Sequence, residues 1–416
     1  MASVRRTERQ ERSIPRFRRV VANREFRGLW LAEALSIAGD QLAKVALAIL
    51  VYQRTSSPLW SAVVYAMTFL PALFGGVGLS QLADRLPRRT LLVSCLLVQA
   101  VLVGIMAIPG TPLPVLCCLV FLVAMLTAPT NAAQNATARE AFDDDAEYLR
   151  SQDLRGITTN TMMLLGLAGG GLLVTGIGVA WALLIDAATF VLAAAVIAAT
   201  VRWRPAAGSP EDGWFAGIRI TASDPHLRVL FGMALLVGLT VVPEGLAAPI
   251  AAQMNAPDVA VGWLLAADPL GFVIGAFVFS HYATADTRLR LMGPLAVVSS
   301  AALIGFAVQP PLPLALVLLA MSGASGAYIL TVGATVNSAV ANNVRGSVMG
   351  LFRTALRVTQ GIGVALGGVV ATAIGSATGT VALAGALGVV AASYVAVLWA
   401  RQRTRPGAVN RTAHAG

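Results

Sequence analysis

Charge is what this sequence has least of. Only 12% of its 416 residues are Asp, Glu, Lys or Arg, against 57% hydrophobic, and the mean hydropathy is +0.75. Soluble globular chains carry roughly a quarter charged residues, so an ordinary water-soluble protein is excluded. Lysine is nearly missing: Lys44 is the only one among 30 basic residues. Cysteine is scarce too. Cys95, Cys117 and Cys118 all fall inside apolar runs, as small core residues and not a disulfide framework. His226, His281 and His414 stand far apart without a partner at ligand spacing, so no metal site is expected. No G-x-x-x-x-G-K-[ST] phosphate loop occurs, which argues against a nucleotide-driven pump. A polytopic membrane enzyme would need a catalytic His, Cys or carboxylate cluster at one interface, and none is visible. Catalytic and cofactor-binding residues are therefore not expected. A cleavable signal peptide is not expected either, because the N-terminus is Arg-rich and polar without an early apolar core.

What is present is a series of apolar blocks, each near the ~20 residues a helix needs to cross ~30 Å of hydrocarbon. The first set is Leu29–Tyr52, Leu59–Leu82, Thr90–Ile108, Leu113–Ala136, Ile157–Ile177 and Val179–Val201. The second is Leu227–Ala252, Val259–Tyr282, Leu291–Val308, Leu314–Val336, Val348–Ile374 and Gly379–Ala400. Long continuous blocks exclude barrel strands, which are short and alternating. The expected fold is an all-α polytopic membrane protein, with 12 transmembrane helices in two pseudo-symmetric six-helix bundles. Its parts are an Arg-rich tail (1–27), a first bundle (28–201), a central loop (202–225), a second bundle (226–400) and a tail (401–416). Within the central loop, Trp214–Ile220 is amphipathic and suits the membrane surface.

The formal charge of +10 invites a nucleic-acid partner, but its distribution excludes one. Arginines crowd the N-terminal tail and recur after every second block: Arg85, Arg88 and Arg89; Arg139 and Arg150; Arg202, Arg204 and Arg219; Arg288 and Arg290; Arg345; and Arg401 onward. Arg54 is the main exception in the intervening loops. This positive-inside pattern puts both termini in the cytoplasm and makes the lipid bilayer of the cell membrane the partner.

The halves share a glycine followed four residues on by a glycine pair: Gly166, Gly170, Gly171 in the fifth block and Gly363, Gly367, Gly368 in the eleventh. Glycines one turn apart make a small-xxx-small face for close helix approach, either as static packing or as a hinge or seal between bundles. Such duplication is expected where two bundles move about a central site, and it favours alternating access over a channel.

Ionisable residues inside spans cost ~3 kcal/mol or more at the bilayer centre, so they face water or a partner. Glu33, Asp40 and Lys44 fall within roughly 40° of one another on the first helix, forming one polar stripe. Asp40 and Lys44, one turn apart, are placed to pair. Either the pair locks helix packing, or the stripe lines a cavity and exchanges protons or meets a cationic substrate. Pro243-Glu244-Gly245 is expected to interrupt the seventh span and Asp268-Pro269 the eighth. Asp268 lies ~14 Å into its helix, near the midplane, and is the better protonatable candidate. Glu244 lies toward the outer end, as a cavity or outer-gate residue. Asp186 reads as helix-packing polarity or substrate contact. Arg353 and Arg357 read as cavity contacts or as side chains reaching the interface.

After the second block comes Ser80-Gln81-Leu82-Ala83-Asp84-Arg85-Leu86-Pro87-Arg88-Arg89. Here the chain resembles the major facilitator superfamily, whose loop between helices 2 and 3 reads G-x-L-A-D-R-x-G-R-R; Ser80 and Pro87 replace its two glycines. The resemblance implies the major facilitator fold. It also implies that Asp84 and Arg85 lock the cytoplasmic side while the site faces outward, with Arg88 and Arg89 as further gate residues or as topogenic charges. Leu29-Trp30-Leu31-Ala32, Ser36, Gly39-Asp40, Asp186-Ala187-Ala188-Thr189-Phe190 and Val344-Arg345-Gly346-Ser347-Val348-Met349 are similar to the branch holding macrolide-efflux proteins and the enterobactin exporter. Leu167 replaces the usual proline of the antiporter motif, and the fourth span lacks the superfamily's R-x-x-Q-G arginine. The resemblance implies secondary active transport, as proton-coupled efflux of a small amphipathic molecule. An importer or narrow metabolite carrier of the same fold is the alternative.

Overall fold

A computed structural model describes residues 20–72, 86–204, 214–341 and 344–403. Asp84 and Arg85 of the candidate gate lie outside these residues. Eleven described helices are long and apolar enough to cross a membrane. They are α1 Arg24–Thr55, α3 Arg88–Met106, α4 Leu113–Glu140, α5 Asp145–Ile177, α6 Val179–Thr200, α7 Pro225–Gly245, α8 Val259–Tyr282, α9 Ala285–Val308, α10 Leu312–Ala339, α11 Arg345–Ile374 and α12 Ala377–Arg403. The described helix of the second span, α2, is Pro58–Ala66. The fold is the expected one: all-α, twelve spans in two bundles.

Local chemistry sets the helix ends. The Asn23 side chain caps α1 by accepting from the backbone N–H of Glu25 at 3.0 Å and of Phe26 at 3.2 Å. Thirty-two residues give α1 a length of ~48 Å, more than the hydrocarbon thickness, so it projects into water. Helix α5 begins at Asp145, a full twelve residues before its apolar run, with Asp144 as cap. Two proline sites behave differently. The seventh span breaks into Pro225–Leu235, Val237–Thr240, Val242–Gly245 and a continuation Ala247–Gln253. The expected interruption of the eighth span does not occur: α8 runs unbroken through Pro269. Its backbone there is clamped by α10, where a Cβ on Gly323 would overlap the Asp268 carbonyl oxygen.

Packing repeats across the two halves. Helix α1 lies on α5 and α6, and α3 on α6; in the second half α7 lies on α11, and α9 on α12. Between bundles, α5 meets α8 and α2 meets α11, a reciprocal pair as two-fold symmetry about the membrane normal requires. Both ends of the described chain share one face, here the tail side: Glu25 binds Arg204, and Arg403 binds Asp286 at 2.7 Å. The linker helix, Trp214–Ser223, lies on that side against the start of α11, with Gly217 close to the Ser347 backbone. On the opposite, distal side one apolar core runs through both bundles, joining Val45, Leu167 and Val174 to Leu246, Ile250 and Val261. The tail-side core of the second bundle is separate, built on Leu230, Met233, Val332, Val348 and Trp399. The bundles are therefore fused by apolar packing at the distal end.

Candidate functional site

The six glycines have two distinct tasks. Gly166 and Gly170 face α1 of their own bundle: a Cβ would lie 2.7 Å from Gln41 Cβ and 3.2 Å from Val45 Cγ2. Gly363 and Gly367 repeat this against α7, at Gly238 and Val242. The third glycine of each set faces the other bundle. A Cβ on Gly171 would lie 2.5 Å from the Val259 carbonyl oxygen of α8, and one on Gly368 would overlap Ala62 of α2. The motif thus ties each fifth helix to its own first helix and, one residue on, to the opposite half. Gln53 Nε2 adds a distal inter-bundle hydrogen bond to Asp258 Oδ2 at 2.7 Å.

Below this distal contact the half-buried charges Asp40, Lys44, Glu244 and Asp268 meet, with the exposed Arg357 beside them. Tyr65 of α2 donates its hydroxyl to Glu244 Oε2 of α7 at 2.6 Å, across the bundle interface. Arg357 of α11 lies over the Phe69 ring, 5.7 Å from its centroid, within electrostatic reach of Lys44, Tyr65 and Glu244. Asp268 of α8 interacts with Glu244, and Asp40 with Lys44. Sequence reasoning named Asp40, Lys44, Glu244 and Asp268 from three separated stretches; the fold brings them within electrostatic reach of one another between the bundles. Glu244 sits on the short helical piece Val242–Gly245 of the broken seventh span, where its carboxylate accepts from Tyr65.

Two details differ from the expected stripe. Lys44 Nζ donates to Gln41 Oε1 at 3.1 Å, and among the described residues it makes no ion pair with Asp40 within 4 Å. Glu33 belongs to a separate site nearer the tail side. It is held by Arg155 of α5 through two bonds, Nε to Oε2 at 2.6 Å and Nη2 to Oε1 at 3.0 Å, with Asn135 and Gln152 occupying Arg155 Nη1. Seven residues of helix put about 10 Å between Glu33 and Asp40, so a shared face did not become a shared site. Arg155 escaped the sequence reading because it precedes the apolar run of α5. Tyr65 carried no signal, since a tyrosine in an apolar block is ordinary core or interface chemistry.

At the tail-side end of the first bundle, Arg88 pairs with Glu140 and Arg89 donates to the Ala198 carbonyl. Arg204 grips Glu25 with bonds of 2.5 and 2.8 Å, and that carboxylate raises the Arg204 pKa above its ordinary value. Glu25, Arg89, Glu140, Ala198 and Arg204 line a polar cavity of about 660 Å³. Both described arginines of the candidate gate thus bind α4 and α6 of their own bundle. Among the described residues no group of three or more His, Cys, Asp or Glu could hold a metal.

Two fused bundles with pseudo-two-fold packing and a charge cluster between them define the fold of a major facilitator transporter. The chain matches the transmembrane secretion effector family over residues 20–414 and belongs to it. The multidrug efflux pump Tap of Mycobacterium tuberculosis (strain ATCC 25618 / H37Rv) is 26% identical over 363 residues, covering 83% of this chain and 86% of that protein. Tap of Mycolicibacterium fortuitum is 25% identical over 361 residues, covering 81% and 87%. Among solved structures, a bacterial homolog of the human lysosomal transporter Spinster, inward-facing and occupied, aligns with a TM-score of 0.73 at 14% identity, over 91% of this chain and 96% of that one. The POT family transporter PepTSo aligns with a TM-score of 0.72 at 14% identity, over 92% and 99%. These likenesses show the fold. The chain is a multi-pass membrane transporter, and its family and fold are those of carriers.

Proposed function

We propose that this transporter exports small amphipathic molecules from the cytoplasm in exchange for protons. One observation carries the reading. The cluster between the bundles holds three carboxylates, Asp40, Glu244 and Asp268, against two cations, Lys44 and Arg357. One negative charge is left over in a setting where an uncompensated charge costs ~3 kcal/mol or more. A proton or a cationic group on the substrate can each supply the missing positive charge, and they compete to do so. That competition is the elementary requirement for antiport: entry of one ligand favours departure of the other. Apolar walls around the cluster suit the rest of an amphipathic molecule. The name of the Tap relatives, multidrug efflux pumps, supports the direction.

The topology follows the arginines, with both termini cytoplasmic and the protein in the cell membrane. In this reading residues 28–201 and 226–400 are the moving bundles. Gly171 and Gly368 form the distal seal, while Gly166, Gly170, Gly363 and Gly367 keep each bundle rigid as it rocks. Asp84 and Arg85, with Arg88 and Arg89, gate the cytoplasmic side when the distal side opens. Glu33, bound by Arg155, supports the gate end rather than the coupling site.

The test is dye accumulation in inverted membrane vesicles under an imposed pH gradient. Pumping into the vesicle lumen should depend on the gradient, and Asp40→Asn and Asp268→Asn should each abolish it while the protein still inserts. Gradient-driven pumping that persists in both variants, or movement in the import direction, defeats the proposal.

A further inference from the structure

Tyr65 and Glu244 join the bundles through a bond whose strength depends on charge. Their oxygens lie 2.6 Å apart, the length of a hydroxyl bonded to an ionised carboxylate. Tyr65 is only 9% exposed, so water competes little for the bond, whereas the distal bond from Gln53 to Asp258 is exposed. Close contacts between α2 and α11 bracket it. Gly368 meets Ala62 on the distal side, and on the tail side a Cβ on Gly361 would lie 3.1 Å from Phe69 Cβ. Tyr65 therefore sits inside the contact that closes the distal end, and the bundles cannot part there with the bond intact.

The groups facing Glu244 can be enumerated. Helix α2 contributes Tyr65, α1 Lys44, α8 Asp268 and α11 Arg357. Helix α7 and its continuation have no other titratable residue between 229 and 253, and α12 has none between 377 and 393. Among the described residues no cation pairs with Glu244 within 4 Å. The hydroxyl of Tyr65 is thus the direct partner of this carboxylate. A hydrogen bond to an ionised acceptor is about twice as strong as one between neutral groups. A proton on Glu244, or a cationic group brought against it, therefore weakens the hold of Tyr65.

We propose that Tyr65 and Glu244 form a latch that keeps the empty carrier distally closed, and that loading Glu244 releases it. Ionised and unloaded, Glu244 holds Tyr65, and an empty carrier does not open. With a proton or a substrate cation on Glu244 the latch slackens, and the bundles are free to rock. Linkage works in the other direction too: closing the distal side favours departure of the proton toward the tail side. Movement only when loaded makes exchange obligatory, which competition for one charge does not by itself enforce. The latch rests on the proton-coupled, alternating-access reading above, and in it Tyr65 is a positioning residue that acts through Glu244.

The experiment is double electron–electron resonance on the purified full chain in lipid nanodiscs, without substrate. Spin labels sit at the exposed positions Ile108 and Val308, with the native cysteines replaced. The wild-type ratio of distally open to closed molecules should rise roughly tenfold from alkaline to acidic pH, as Glu244 gains its proton. Tyr65→Phe and Glu244→Gln should each lose most of that response and stay more open than the wild type at alkaline pH. A hydroxyl that served packing alone would shift the ratio in Tyr65→Phe and leave its pH response in place. A wild-type ratio fixed across pH, or a response that survives whole in either variant, overturns the proposal; either variant decides if the other does not fold. The two readings fail separately. A pH-independent ratio beside gradient-driven export in vesicles refutes the latch alone, and a pH-driven latch beside gradient-independent export refutes proton coupling alone.

Discussion

Removing one oxygen atom should open the distal side of this transporter. Tyr65→Phe keeps the ring, including its tilted contact with Phe69 at 5.8 Å between centroids, and deletes only the hydroxyl bonded to Glu244. That bond joins α2 to α7, so it exists only while the bundles meet distally. A hydrogen bond to a charged group is worth about 1.5–3 kcal/mol net. Loss of that amount from the distally closed state alone shifts the equilibrium toward the open state by roughly 10- to 100-fold. The shift is measurable with spin labels at Ile108, just past the distal end of α3, and Val308, at the distal end of α9, which are 56% and 77% exposed. Cys95, Cys117 and Cys118 are replaced beforehand, and double electron–electron resonance reads the two populations. The long-distance population should rise by about an order of magnitude in Tyr65→Phe. An unchanged distance distribution in a correctly folded variant refutes the idea that this bond holds the bundles together.

Three further outcomes are expected. Arg155→Ala should lower the melting temperature by far more than the double variant Glu33→Leu/Arg155→Leu, because a single deletion strands a buried carboxylate at a cost of about 3–5 kcal/mol. Equal melting temperatures in the two would show that the pair is not coupled. Gly171→Val should weaken distal closure by about 1–3 kcal/mol, since even a Cβ crowds the Val259 carbonyl, while Gly176→Val, with open space around it, should not. Matched label distances in these two variants would contradict the seal. Arg204→Lys should loosen the tail-side end of the first bundle despite conserving charge, because an ammonium cannot reproduce the forked grip on Glu25. Hydrogen exchange at the start of α1 reads that loosening, and protection equal to the wild type would count against it.

Much of the architecture was legible without coordinates. Hydrocarbon thickness fixes how long an apolar run must be, so the blocks announced the spans, and repeated glycines announced the duplication. Unsolvated charge is costly in lipid, so Asp40, Lys44, Glu244 and Asp268 stood out one by one. Which of these act together is another matter. Helical periodicity put Glu33 on the same face as Asp40, but Arg155 from another helix captured it. Pro243 lies in a broken helix and Pro269 in an unbroken one, a difference that the one-dimensional pattern did not separate. Tyr65 and Arg357 gained meaning only from neighbours more than a hundred positions away along the chain. The one-dimensional pattern decides where each residue sits in depth, since depth is set by the rise along a single helix. Lateral partners depend on how helices rotate and pack, and that information resides in the tertiary structure alone.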